Sequence, residues 1–223
     1  MSDALATRSS VPSTVAKAQL DFVILDGSTS MMSKWWDMLK AIDTYVDGLK
    51  AGNMNSHITI STFDSLDLEM IQRDQDLDTW TSLDKDPIGA NWGSTPLYDA
   101  INVNIRRIRE IDPAKCHILI VTDGEENHSQ FTNLTQAKAI LDWARAKGWQ
   151  VTFIGCDFNN SAQAQLLGAD KSSAIGVQTK LLSEATKNLA KKRVNYGLYG
   201  GSINWSESEQ QQFGGYLNAP DAK

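Results

Sequence analysis

The stretch Leu20-Asp21-Phe22-Val23-Ile24-Leu25-Asp26-Gly27-Ser28-Thr29-Ser30 decides the fold. Its first half is almost continuously apolar and stops at an Asp-Gly turn, the pattern of a strand buried on both faces. Immediately downstream Trp35, Met38, Leu39, Ile42, Val46 and Leu49 recur at three- and four-residue spacing up to Gly52, which marks an amphipathic helix with a glycine stop. Strand, polar loop and helix in that order are the opening of a parallel α/β architecture.

The rest of the chain continues the alternation. Residues 57–63 read as a second strand, with β-branched Ile58, Thr59, Ile60 and Thr62, and 66–73 as an antiparallel edge strand. A polar loop follows over 74–93. Pro96 stands where a helix begins, and Leu97, Ile101, Ile105, Ile108 and Ile111 form its apolar stripe up to Asp112-Pro113. A buried strand over 116–122 stops at Asp123-Gly124. A helix over 134–147, a strand over 150–155, a short helix over 161–167, a short strand over 173–176 and a helix over 177–192 complete the set. The expected fold is α/β: a doubly wound, mostly parallel sheet with helices on both faces and one antiparallel edge strand. The flanks are read as a flexible leader (1–17) and a C-terminal extension (194–223) around one domain (18–193). The extension carries Tyr196, Tyr199, Trp205, Phe213 and Tyr216 among glycines. Aromatics are costly to leave in water, so it is expected to dock, on its own domain or on another subunit.

Composition narrows the function. With 27 acidic and 21 basic side chains the net charge is −6, which argues against nucleic-acid or anionic-membrane binding. No apolar run reaches the length of a membrane helix, and the leader lacks a signal-peptide core, so the expectation is a cytoplasmic, soluble protein. Cys116 and Cys156 each sit at the end of an apolar run and are expected as buried free thiols.

In an open parallel sheet, ligands bind beyond the carboxyl ends of the strands. Three polar clusters fall there: Asp26-Gly27-Ser28-Thr29-Ser30, Gly93-Ser94-Thr95-Pro96, and Thr122-Asp123-Gly124-Glu125-Glu126-Asn127. Two carboxylates and three hydroxyls make an all-oxygen donor set, suited to Mg²⁺ or a similar small divalent ion. So few charged ligands leave the ion some water and an open position. Each residue also has a plainer reading. Asp26, Ser28 and Thr95 are good helix caps, Glu125 and Glu126 suit a solvated first turn, and Asp99 is either a support to the site or an ordinary helix-start acid. His57, His117 and His128 read as surface or edge histidines. Trp92 and Trp36 stand where a partner approaches, with core burial equally open for Trp92.

Together, Asp26-x-Ser28-x-Ser30, Thr95 within Gly93-Ser-Thr-Pro-Leu-Tyr-Asp99, and Asp123-Gly-Glu-Glu-Asn127 resemble the von Willebrand factor A domain with its metal-ion-dependent adhesion site, over roughly 20–192. The wording is most similar to short intracellular bacterial and phage members. The resemblance implies Ser28, Ser30 and Thr95 as direct hydroxyl ligands of Mg²⁺ (or Mn²⁺), with Asp26 and Asp123 acting directly or through water. It implies a binding module rather than an enzyme, capturing an Asp or Glu carboxylate of a protein partner such as an ATPase or a virion component. A structural subunit using its extensions, in the virion if phage-encoded, is an alternative. An aspartate-nucleophile phosphatase is disfavoured, because Ser28 stands where its second carboxylate is expected.

Overall fold

The decisive stretch forms β1 (Gln19–Asp26) near the middle of the sheet, and its side chains alternate between two buried faces. Val23 and Leu25 enter one core, while Leu20, Phe22 and Ile24 enter the other. Burial on both sides is why the run is apolar without a period of two. The computed structural model describes residues 19–218, so the expected leader lies outside the described residues.

Beside β1 lie β2 (His57–Phe63), β3 (Met70–Asp76), β4 (Lys115–Thr122), β5 (Gln150–Cys156) and β6 (Ala174–Val177), in the sheet order β3-β2-β1-β4-β5-β6. All neighbours are parallel except β2 and β3. The edge strand begins later than expected, since Asp64 accepts from Leu66 N and Asp67 N and turns the chain first. Helices α1 (Trp35–Ala51) and α5 (Leu182–Tyr199) pack together over one face. The other face is covered by α2 (Leu97–Ile111), α3 (Leu134–Ala146) and the short α4 (Ser161–Leu166). From β1 the chain crosses to β2, and from β4 it crosses to β5 in the opposite direction. The carboxyl ends of β1 and β4 therefore flank the switch point where open α/β sheets leave a crevice.

Cys116 and Cys156 are buried free thiols in opposite cores, and burial pushes both well above the ordinary thiol range, which keeps them unreactive. No helix among the described residues is long and apolar enough to cross a membrane.

At the amino end of β1, facing α1 and α5, sits a buried polar cluster. Asp21 accepts from Arg193 Nε at 2.8 Å and Nη2 at 3.0 Å, from Tyr45 Oη at 2.5 Å and from the Ser56 hydroxyl. His117, expected at the surface or an edge, is buried here between Tyr45 Oη (2.8 Å) and Thr152 Oγ1 (3.2 Å). Its position in β4 faces α1, which a linear reading does not reveal. His57 sits near the edge, with its ring nitrogens 2.6 and 2.7 Å from carboxylate oxygens of Asp74 and Asp76.

Helix α5 does not stop near Lys192 but continues to Tyr199, through the expected domain boundary. The segment beyond it packs on its own domain, with Ile203, Trp205 and Phe213 buried in the α1/α5 core. A short helix, α6 (Glu207–Gly214), begins with a capping box in which Ser206 and Glu209 satisfy each other's backbone N–H groups. It lies along β6: Gln210 Nε2 donates to the Ala174 carbonyl (3.3 Å), Trp205 N to the Ser172 carbonyl (2.7 Å), and Gln178 N to the Phe213 carbonyl (3.0 Å).

Candidate metal centre

The three polar clusters meet at the carboxyl end of the sheet because their backbones are tied to one another. Asp26 ends β1, and its Oδ1 accepts from Ser28 N at 2.8 Å, turning the chain so that Ser28 and Ser30 follow on the rim. The first loop then pairs with the second. Trp92 N donates to the Gly27 carbonyl (3.0 Å) and Thr29 N to the Gly93 carbonyl (2.9 Å), with Ser28 and Gly93 forming an isolated parallel bridge. The Thr29 hydroxyl adds a bond to the Trp92 carbonyl. Gly93 also lets the second loop lie close against the turn that follows β2: a Cβ there would lie 2.5 Å from Ser65 Oγ and 2.9 Å from Ser65 N.

Reciprocal bonds join the second loop to the third. Thr95 N donates to Asn127 Oδ1 (3.0 Å) and Asn127 N to the Thr95 carbonyl (3.1 Å). The first and third loops meet through side chains: Thr122 Oγ1 donates to Asp26 Oδ2 at 2.5 Å, and Ser30 Oγ donates to Asp123 Oδ1 at 2.6 Å. Ser28 Oγ is 3.1 Å from Ser30 Oγ. Asp26, Ser28, Ser30 and Asp123 thus form one connected polar chain. Buried Thr95 is held to it through the side-chain amide and the backbone N–H of Asn127.

The capping alternative does not account for the hydroxyls. Ser28 stands at the N-cap of the 3₁₀ turn Thr29–Lys34, yet its side chain makes no capping bond. Pro96, not Thr95, is the N-cap of α2. The electrostatics is unusual for a carboxylate. Burial pushes the Asp26 carboxyl up to about 6, against the lowering bonds from Thr122 and Ser28, while the nearby Asp123 charge raises it further. A carboxylate desolvated in this way is neutralised by a proton or by a compensating cation.

Sequence reading missed several supporting residues. Lys34, at the end of the 3₁₀ turn, places Nζ 2.5 Å from Asp123 Oδ2 and 3.3 Å from the Ser30 carbonyl. Glu126 is no solvated first-turn acid: its carboxylate accepts from Tyr98 N (2.9 Å), His128 N (2.8 Å) and Ser129 N (2.6 Å), fastening the third loop to the start of α2. Asp99, for which the sequence offers a supporting role or an ordinary helix-start acid, takes the supporting one: it accepts from Gln130 N (2.7 Å) and Phe131 N (3.1 Å). Buried Asp64 accepts from Asn91 N (3.1 Å), anchoring the second loop to the end of β2. The signal available for Asp64 and Glu126 is only an acid shortly after a strand end, and Lys34 carries none. Trp92 is half-buried, edge-on to Trp35 at 5.2 Å between ring centroids and with a positive φ of 64°, whereas Trp36 is 66% exposed.

No protein-family model matches the chain, and no curated protein does. Solved structures do. A von Willebrand factor type A protein from Catenulispora acidiphila is 14% identical over 80% of this chain and 43% of its own, with a TM-score of 0.61. The von Willebrand factor domain of the type V pili tip protein Mfa5 from Porphyromonas gingivalis is 13% identical over 86% of this chain and 99% of that domain, at 0.62. The pilus adhesin SpaC from Lactobacillus rhamnosus GG, in its open conformation, is 10% identical over 83% of this chain, at 0.65. This chain spans only 31% of SpaC and 47% of a mussel byssus matrix protein that also matches. At such identities the likeness shows the fold, which is that of a von Willebrand factor A-like α/β domain.

Proposed function

We propose that this chain is a divalent-metal-dependent protein-binding module, with Mg²⁺ or Mn²⁺ held by Asp26, Ser28, Ser30, Thr95 and Asp123. The observation that carries the reading is the buried, desolvated Asp26 carboxylate, bonded among the described residues to hydroxyl and amide groups, at a rim where three loops deliver further oxygen donors. The donors are carboxylates and hydroxyls, the chemistry of hard cations, so they fit the ion. When bound, the ion supplies a Lewis-acidic position for a carboxylate from a partner protein.

This chain's own residues do the rest. Thr122 and Ser28 N orient Asp26, Asn127 fixes the Thr95 backbone, and Glu126 and Asp99 keep the third loop against α2. Exposed Met32 and Trp36 follow the first loop and exposed Phe131 follows the third, which offers a protein partner apolar contact beside the charged centre. Two fold neighbours, a pilus adhesin and a pili tip protein, support reading this fold as one that makes contacts. Binding without turnover is the expected mode. The assembly-subunit alternative loses one of its supports, since the C-terminal segment packs in cis.

Isothermal calorimetry with Mg²⁺ and Mn²⁺ tests the site. Wild type should bind one ion, and Asp26→Ala and Asp123→Ala should lose it while circular dichroism stays the same. Undiminished binding in both variants refutes the assignment.

A further inference from the structure

Both oxygens of Asp123 are already engaged. Ser30 Oγ donates to Oδ1 at 2.6 Å, and the Lys34 ammonium sits 2.5 Å from Oδ2 while also reaching the Ser30 carbonyl. The Asp123 side chain is fully buried and the Lys34 side chain is 19% exposed, so this is a partly desolvated ion pair. Such a pair is far stronger than one at the surface. Lys34 belongs to the same turn that carries Ser30, which fixes where its stem starts. Its flexible four-carbon stem and partial exposure let the ammonium swing into water without moving the turn.

A divalent ion using Asp123 as donor and a lysine ammonium using the same carboxylate repel each other at contact distance. We infer that Lys34 is a built-in competitor for this site: it neutralises Asp123 and must withdraw from it for a divalent cation to bind there. The inference rests on the metal reading above and adds its regulation. Metal affinity is set by the oxygen donors less the cost of displacing Lys34, and metal entry frees a positive side chain at the rim, beside the approaching partner.

Calorimetric titration of Mg²⁺ and Mn²⁺ into wild type, Lys34→Gln, Lys34→Arg and Lys40→Gln tests it. Lys40 is exposed on α1, so its variant removes the same formal charge elsewhere. Lys34→Gln should bind on the order of tenfold more tightly or better, the range expected for relief of a charge-assisted bond, with Lys34→Arg and Lys40→Gln close to wild type. A second readout needs no variant: the rate at which an amine-reactive acylating reagent modifies Lys34 in the wild-type protein, followed by mass spectrometry, should rise when Mg²⁺ is added. Metal binding that is equal or weaker in Lys34→Gln, or a Lys34 labelling rate unchanged by a metal that binds, overturns the competition and leaves the metal site standing. If neither wild type nor Lys34→Gln binds an ion, the metal reading falls and this inference with it.

Discussion

Replacing Arg193 by methionine isolates the energetics of the buried pair at the opposite end of β1. Arg193 grips Asp21 with Nε at 2.8 Å and Nη2 at 3.0 Å, and both side chains are essentially inaccessible. Burial alone raises the Asp21 carboxyl. The Arg193 guanidinium, with His117 and Ser56, outweighs it and holds the group well below the usual carboxylate range. Removing one partner of such a pair strands the other charge and costs about 3–5 kcal/mol, or roughly 6–20 °C in melting temperature for a domain of this size. The sign with pH follows. In wild type the Asp21 carboxyl is depressed, so its stabilising contribution is complete above an unfolded value near ~4 and is lost as the pH falls further toward the folded value. In Arg193→Met only burial remains as the dominant influence, the carboxyl rises above its unfolded value, and the penalty is greatest at neutral pH. The stability gap between the two proteins should therefore narrow from pH 7 to pH 4. Urea unfolding monitored by circular dichroism at both pH values measures it, with Asp21→Asn/Arg193→Met expected to recover part of the loss. A gap under about 1 kcal/mol at pH 7, the scale of a surface pair, or a gap independent of pH, would refute the argument.

Two further substitutions probe the loops and the tail. Gly93→Ala should destabilise by about 1–3 kcal/mol, the cost of overpacking, because Ser65 main chain stands where the methyl must go; it should also weaken Mg²⁺ binding in calorimetry, since Thr95 rides on that loop. Phe213→Ala should lower stability by about 3–5 kcal/mol in urea unfolding and leave the oligomeric state by light scattering as in wild type, as the side chain is fully buried in the chain's own core; a stability unchanged by the substitution refutes cis packing of α6.

What was legible in the sequence was whatever depends on short-range pattern. The β1 run, the stripe of α2 and the oxygen-rich loops beyond β1 and β4 were readable because burial and turn chemistry leave marks within a few residues. The edge strand β3 was placed too early, since Met70-Ile-Gln-Arg-Asp-Gln-Asp76 carries almost no apolar alternation and is only partly buried. The end of α5 is hidden because Gly197 opens a glycine-rich stretch, a composition that reads as the end of a helix. In the fold Gly197 is a close-packing position, where a Cβ would lie 2.4 Å from Met54 Cε and 2.8 Å from Arg193 Nη1. Glu126, Lys34 and His117 escaped for a shared reason. Their partners Tyr98, Asp123 and Tyr45 are distant in sequence, and a charged or polar side chain, which by itself prefers water, is recognised as buried only once those partners are placed.

The packing of α6 along β6 has a consequence for how this protein meets others. A sheet ends in a row of backbone donors and acceptors that any extended chain can extend, the template for runaway strand addition. Here the outer side of β6 is claimed by the chain's own tail, with Gln210 on the Ala174 carbonyl and the Trp205 and Phe213 segments bonded at either end. The opposite edge, β3, presents Arg73, Asp74 and Asp76 and is bent by a register shift opposite Ile60 and Ser61, both deterrents to a second strand. With one border occupied and the other electrically and geometrically uninviting, growth of the sheet is a poor route to association, which leaves open the contact proposed at the end where the loops of β1 and β4 converge.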